Sequence, residues 1–164
     1  MSHLAISIDL PEAAEHRDEL RLWLRLLTCA NLVESEVRRR LRGRFGVTLP
    51  RFDLLAQLDK APGGLTLSEV SKRMMVSNGN LTGLVERLVA TGHLDRRLSD
   101  RDRRAQVIRL TPLGRREFRA MAAEHEGWIA QIFGDLTRRE TEELMRLLAK
   151  AKGSAARAVE EARL

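Results

Sequence analysis

Leu65–Thr111, LTLSEVSKRMMVSNGNLTGLVERLVATGHLDRRLSDRDRRAQVIRLT, contains two short helical patterns followed by an arginine-studded hairpin. Thr66 with Glu69 three positions on is a capping box, in which each side chain satisfies an orphan amide of the first turn. A helix is therefore predicted from near Leu67, with Leu67, Val70 and Met74 at helical spacing. Ser77 is a good N-cap for a second helix carrying Leu81, Leu84, Val85 and Leu88 toward the core. Asn78, Gly79, Asn80, Thr82, Gly83 and Arg87 remain on its outer face, small and polar as a helix lying in a major groove requires. Read singly, Asn and Gly there only weaken a helix start.

Beyond Gly92, a C-terminal stop, the chain reads His93–Arg97, then polar Ser99–Asp102, then Arg103–Leu110, and a hairpin fits best. Gln106, Ile108 and Leu110 would share one strand face and Ala105, Val107 and Arg109 the other. The tip carries Asp100, Arg101, Asp102, Arg103 and Arg104. An isolated charge run reads as a solvated loop, but directly after a helix-turn-helix it suits a phosphate backbone or narrow minor groove. The expected fold class is mainly α with a small β-wing: a winged helix-turn-helix, residues 48–111, with double-stranded DNA as partner.

The run Leu94-Asp95-Arg96-Arg97, then Asp102-Arg103-Arg104-Ala105-Gln106-Val107-Ile108-Arg109-Leu110-Thr111-Pro112-Leu113-Gly114, resembles the wing signature of the MarR family, and the resemblance covers roughly residues 20 to 150. It implies a homodimeric transcription factor, usually a repressor released by a small molecule. By position, Ser77, Asn78, Asn80 and Thr82 match the recognition-helix segment, with Arg87 on the same helix. Asp102, Arg103 and Arg104 match the wing tip, with Arg101 beside them, and the resemblance implies that the wing Asp braces a minor-groove Arg. Gly83 departs from the family pattern, which often has a longer polar or basic side chain there, so base readout is absent at that position or shifted to neighbours.

Composition agrees. The chain has 164 residues, 43% of them apolar, enough to bury a core, and a net charge of +6. Residues 66–111 hold nine Lys/Arg against five Asp/Glu, and residues 34–51 hold six Arg against two Glu, each a net of +4. These two segments form the electrostatic footprint. No apolar run nears membrane-spanning length and no cleavable signal pattern appears, so a cytoplasmic protein without a membrane partner is expected. Neither metal-ligand spacing nor a nucleophile–base pairing or Gly-rich phosphate loop is evident; no cofactor and no enzymatic activity are expected.

The flanks, 14–45 and 112–162, read mainly as dimerisation helices of a single domain spanning 1–164. Leu20, Trp23, Leu27, Ala30, Val37 and Leu41 form one stripe of the first, and Leu22, Leu26, Cys29 and Val33 a second beside it. Thr111 with Pro112 opens a long helix through Phe118, Met121, His125, Trp128 and Ile132. Thr137 with Glu140 caps another, through Leu144, Leu147, Leu148 and Ala151. Such apolar helices fit intertwining with a second copy, whose two-fold axis would demand an inverted-repeat operator.

Effector candidates are polar or aromatic residues stranded on apolar stripes: Trp23, Asn31, Glu34, His125 and Trp128. Each alone reads more simply as packing; together they suit an aromatic ligand. Six arginines lie within residues 38–51, more than a helix C-terminus needs, and Arg38, Arg40, Arg44 and Arg51 could fork onto ligand phosphates. Leu20–Cys29, Arg38–Arg42 and Leu49–Leu58 are similar to MarR-type regulators of hydroxycinnamate degradation, which implies control of aromatic catabolism by an aromatic acyl-coenzyme A effector. Alternatives are a regulator sensing a free phenolic acid or oxidant, and a sequence-tolerant architectural DNA binder. Cys29, among Leu26, Leu27 and Val33, is expected in the core and inert.

Overall fold

The computed structural model describes residues 16–99, 102 and 104–163. It divides into two compact units, residues 1–49 and 50–164. Within the first, α1 (Arg17–Phe45) ends at Gly46, whose φ of 65° lets its amide reach Arg42 O at 3.0 Å while Val47 N reaches Leu41 O. Val37, Leu41 and Val47 are buried, whereas Leu22, Trp23 and Leu32 are exposed.

The second unit follows with α2 (Leu49–Asp59), which buries Phe52, Leu54, Leu55 and Leu58. Next come α3 (Leu67–Met74), α4 (Asn78–Ala90), β1 (Leu94–Leu98), β2 (Gln106–Leu110), α5 (Pro112–Ile132) and α6 (Arg138–Glu161). Both capping boxes form, Thr66 with Glu69 and Thr137 with Glu140, and Thr111 caps α5 ahead of Pro112. The α3–α4 turn passes through Met75 in the left-handed region, φ 53°, and is closed by Val76 N on Ser71 O and by Ser71 Oγ donating to Val76 O.

The two strands pair antiparallel, Leu94 opposite Leu110 through to Leu98 opposite Gln106, and Leu65 adds two backbone hydrogen bonds to Ile108. Strict alternation along β2 fails: Val107, Ile108 and Leu110 are all buried. The loop through Gly64 explains this, since a Cβ there would lie 3.1 Å from Val107 Cβ and 2.9 Å from Arg109 Cγ. That loop covers the face carrying Val107 and Arg109, and only glycine, here at φ 89°, fits the approach.

The core of this unit gathers Leu81, Val85 and Leu88 of α4 with Val70, Leu94, Ile108, Phe118 and Met121, while Leu84 is half-buried. At the joint between wing and α5, Gly114 packs against the His93 carbonyl so tightly that a Cβ would lie 2.1 Å from its oxygen. By contrast α6 buries no residue and leaves Leu144, Met145, Leu147 and Leu148 exposed.

Candidate nucleic-acid interface and aromatic cluster

The outer face of α4 begins at its cap. Ser77 Oγ accepts from Asn80 N at 3.4 Å, so this hydroxyl orients the helix start. The Asn78 and Asn80 side chains are exposed on the first turn. Thr82 is half-buried and donates its hydroxyl to Asn78 O at 2.8 Å. It lines a cleft of about 190 Å³ whose floor is Leu67, Val85, Val107 and Ile108 and whose polar rim adds Glu86, Arg96 and Gln106. Arg87 is exposed one turn beyond Gly83.

At the wing, Asp102 organises the turn through the backbone. Its carboxylate accepts from Arg104 N at 2.9 Å, its carbonyl accepts from Ala105 N, and its amide donates to Ser99 Oγ at 3.4 Å. That carboxylate bond reaches the backbone of Arg104, an exposed residue. Arg101 and Arg103, with Asp100, lie outside the described residues. Along the strands, Asp95 accepts from Arg97 Nε at 3.2 Å and Arg109 Nε at 3.4 Å, across the ladder in the second case.

The effector candidates separate between the two units. In the first, Trp23 and Asn31 are exposed, Glu34 pairs with Arg38, and Arg39 and Arg40 converge on Glu36 at 2.7 and 2.5 Å. Hydrogen bonds from Arg39 and then Arg40 hold the Glu36 carboxyl down at about 2. Three of the six arginines are thus matched by local carboxylates, and Arg44 lies 5.8 Å from the Phe45 ring centroid. Cys29 corrects the expectation of a core thiol: it is exposed, because the α1 segment containing Trp23 and Leu32 stays open while burial is confined to Val37 and Leu41.

In the second unit His125 and Trp128 do meet, in an edge-on arrangement at 6.5 Å, but their other neighbours were not evident in the sequence. Phe52 stacks at a tilt 4.8 Å from His125 and 5.5 Å from Phe118. Burial lowers the His125 pKa, opposed by the charge of Asp53. Arg51 joins a different group, with Nη2 3.3 Å from His93 Nε2 and 3.8 Å from Glu117 Oε2. The buried His93 was missed; a lone histidine after a helix-ending glycine has no sequence signature, and only the return of α5 reveals its partner. Among the described residues no group of three or more His, Cys, Asp or Glu could hold a metal, and no helix is long and apolar enough to cross a membrane.

Comparison with known proteins finds similar chains. Residues 45–105, spanning the helix pair and most of the wing, match the MarR family. The transcriptional activatory protein BadR of Rhodopseudomonas palustris is 29% identical over 130 residues, covering 76% of this chain and 74% of that protein. The crystal structure of a MarR family transcriptional regulator from Silicibacter pomeroyi is similar at a TM-score of 0.73 and 28% identity, over 88% of this chain and 99% of that one. Sco3205, a MarR family transcriptional regulator from Streptomyces coelicolor solved in complex with DNA, gives 0.69 and 27% over 88% and 92%. The capped helix pair and two-stranded wing of this chain are thus similar to those of MarR family transcriptional regulators, one of them solved in complex with DNA.

Proposed function

We propose that the protein is a cytoplasmic homodimeric repressor of aromatic-compound catabolism, bound to an inverted-repeat operator and released by an aromatic acyl-coenzyme A thioester such as a hydroxycinnamoyl-coenzyme A. In this reading Ser77, Asn78, Asn80, Thr82 and Arg87 face the major groove, and Arg101, Asp102, Arg103 and Arg104 serve the wing's contact with the backbone or minor groove. The exposed apolar residues of α1 and α6 supply the surface for a second copy.

The observation that carries the effector reading is the ring cluster of Phe52, Phe118, His125 and Trp128. Its half-buried His125 and Trp128 offer apolar faces with a polar edge, as a phenolic ring requires. Arg38, Arg40, Arg44 and Arg51 are the proposed partners of the coenzyme phosphates. Arg38 and Arg40 would exchange Glu34 and Glu36 for phosphate, which favours a ligand of high charge over a free phenolic acid.

Fluorescence anisotropy on the duplex upstream of the gene and on a scrambled duplex, at fixed salt, tests this reading. Selective binding lost with 4-coumaroyl-coenzyme A, and kept with free coenzyme A or free 4-coumarate, is the expected result. Loss with free 4-coumarate alone would overturn the thioester, and tighter binding with the thioester would overturn release. Equal binding to both duplexes would favour an architectural role. The exposure of Cys29 supports one second reading, oxidant sensing. A peroxide response present in the parent and absent in Cys29→Ser would establish it.

A further inference from the structure

Gly79, Gly83 and Arg87 stand four residues apart, along one row of α4 opposite the buried Leu81, Val85 and Leu88. Nothing lies within 4 Å of a Cβ built on Gly79, and the one on Gly83 would meet only Arg87 Nη1, at 3.7 Å. Helical side chains lean toward the N-terminus, so the Arg87 side chain lies back over the bare backbone at Gly83. Among the described residues no carboxylate pairs with Arg87, and the residue is exposed. Each glycine weakens a helix relative to alanine, and this helix carries two in the row that points away from the core.

We infer that Arg87 is the guanine-reading residue of this protein, delivered to the floor of the major groove by the gap that Gly79 and Gly83 leave. This rests on the reading that the outer face of α4 enters that groove. A helix stripped of two side chains in one row can approach base edges with its backbone. An arginine folded along that row then presents its fork inward, whereas an arginine extended sideways would meet phosphate. Guanine offers the matching acceptor pair, O6 and N7, and a planar guanidinium takes both at once. Asn80, one position beyond Gly79, is left for a different base.

The test is selection from a randomised duplex pool at fixed salt by the full-length parent and by variants whose helicity is checked by circular dichroism. The parent is expected to prefer one guanine per half-site about five- to 150-fold. Arg87→Ala should flatten that position while leaving the others. Arg87→Lys, which keeps the charge and loses the fork, should recover affinity more than selectivity. Gly83→Ala, with its Cβ in ordinary contact, should retain the guanine, and Gly83→Leu should lose it by displacing the guanidinium. An Arg87→Ala protein that loses affinity equally on every sequence and keeps all base preferences would reduce Arg87 to a phosphate contact and overturn the inference. If Asn80→Ala alters one position and Arg87→Ala none, the Arg87 assignment alone falls. If neither alters any, base reading by α4 falls with it.

Discussion

His93 Nε2 lies 2.7 Å from Glu117 Oε2, tying the residue before β1 to α5, while Nδ1 of the same ring lies 2.7 Å from Thr91 Oγ1 at the end of α4. One buried ring thus links α4, the helix proposed to face DNA, with the helix that carries the aromatic cluster. Replacing it leaves Thr91, Arg51 and Glu117 without their shared partner. His93→Ala is expected to cost about 1–3 kcal/mol in urea unfolding at fixed protein concentration. Glu117→Ala, removing a half-exposed carboxylate, should cost under about 1 kcal/mol. Equal losses from the two would mean that the Glu117 bond, and not burial of the ring, holds the joint.

Two glycines should respond in opposite senses to alanine. At Gly114 the new Cβ would sit 2.1 Å from the His93 carbonyl oxygen, a clash with backbone that no side-chain rotation relieves. Gly114→Ala is expected to lose about 3 kcal/mol or more, or to fail to accumulate as folded protein. Gly79→Ala meets open space and should gain up to about 1 kcal/mol of helix stability. Thermal melts of the pair check both, and a benign Gly114→Ala would mean that α5 can slide off the wing.

What the sequence could and could not foretell follows from the range of each interaction. Thr66 with Glu69, Ser77, Thr111 with Pro112, and Thr137 with Glu140 act within one turn, so helix starts are written locally, and each forms as read. The hairpin was equally local, yet its burial was not. Val107 is covered by the loop through Gly64, distant in sequence, and alternation along β2 carries no trace of that cover. The same limit hid His93 and the Phe52–His125 contact, which need α5 to return over α2. Cys29 shows the converse limit: apolar neighbours along a helix suggest burial, yet they leave that surface open on the single chain.

Among the described residues of the wing turn, Asp102 accepts twice from the backbone. Asp102 Oδ1 holds Arg104 N at 2.9 Å, and the neighbouring bonds from Ala105 N to Asp102 O and from Ser99 N to Ala105 O close the same loop. Asp102→Ala should loosen the tip without touching the core, weakening DNA affinity about three- to tenfold with little change in melting temperature, since such a bond contributes about 1 kcal/mol. Asp102→Asn keeps an acceptor oxygen and should retain most of the affinity. Anisotropy titrations against one duplex decide it. If Asn behaves as Ala does, the carboxylate's charge outweighs its bond to the backbone.

His125 offers a reading of the aromatic cluster that needs no ligand. Burial against Phe52 and Trp128 lowers its pKa from the ordinary 6.5, and the Asp53 charge works the other way. The unfolded chain therefore binds this proton more readily than the folded one. Stability from this site is fully present above about pH 6.5 and is lost as pH falls from there through the folded value. Asp53→Asn removes the opposing charge, so the His125 pKa should fall further and its transition in a proton NMR titration, assigned through His125→Gln, should move to lower pH. Asp53→Asn should likewise extend the range in which folding weakens with acid. An unchanged His125 midpoint in Asp53→Asn would mean that solvent screens this pair. A midpoint at or above the ordinary histidine value in the parent would mean that the ring is not held among the aromatics, and the cluster would then lose its claim to receive a neutral ring.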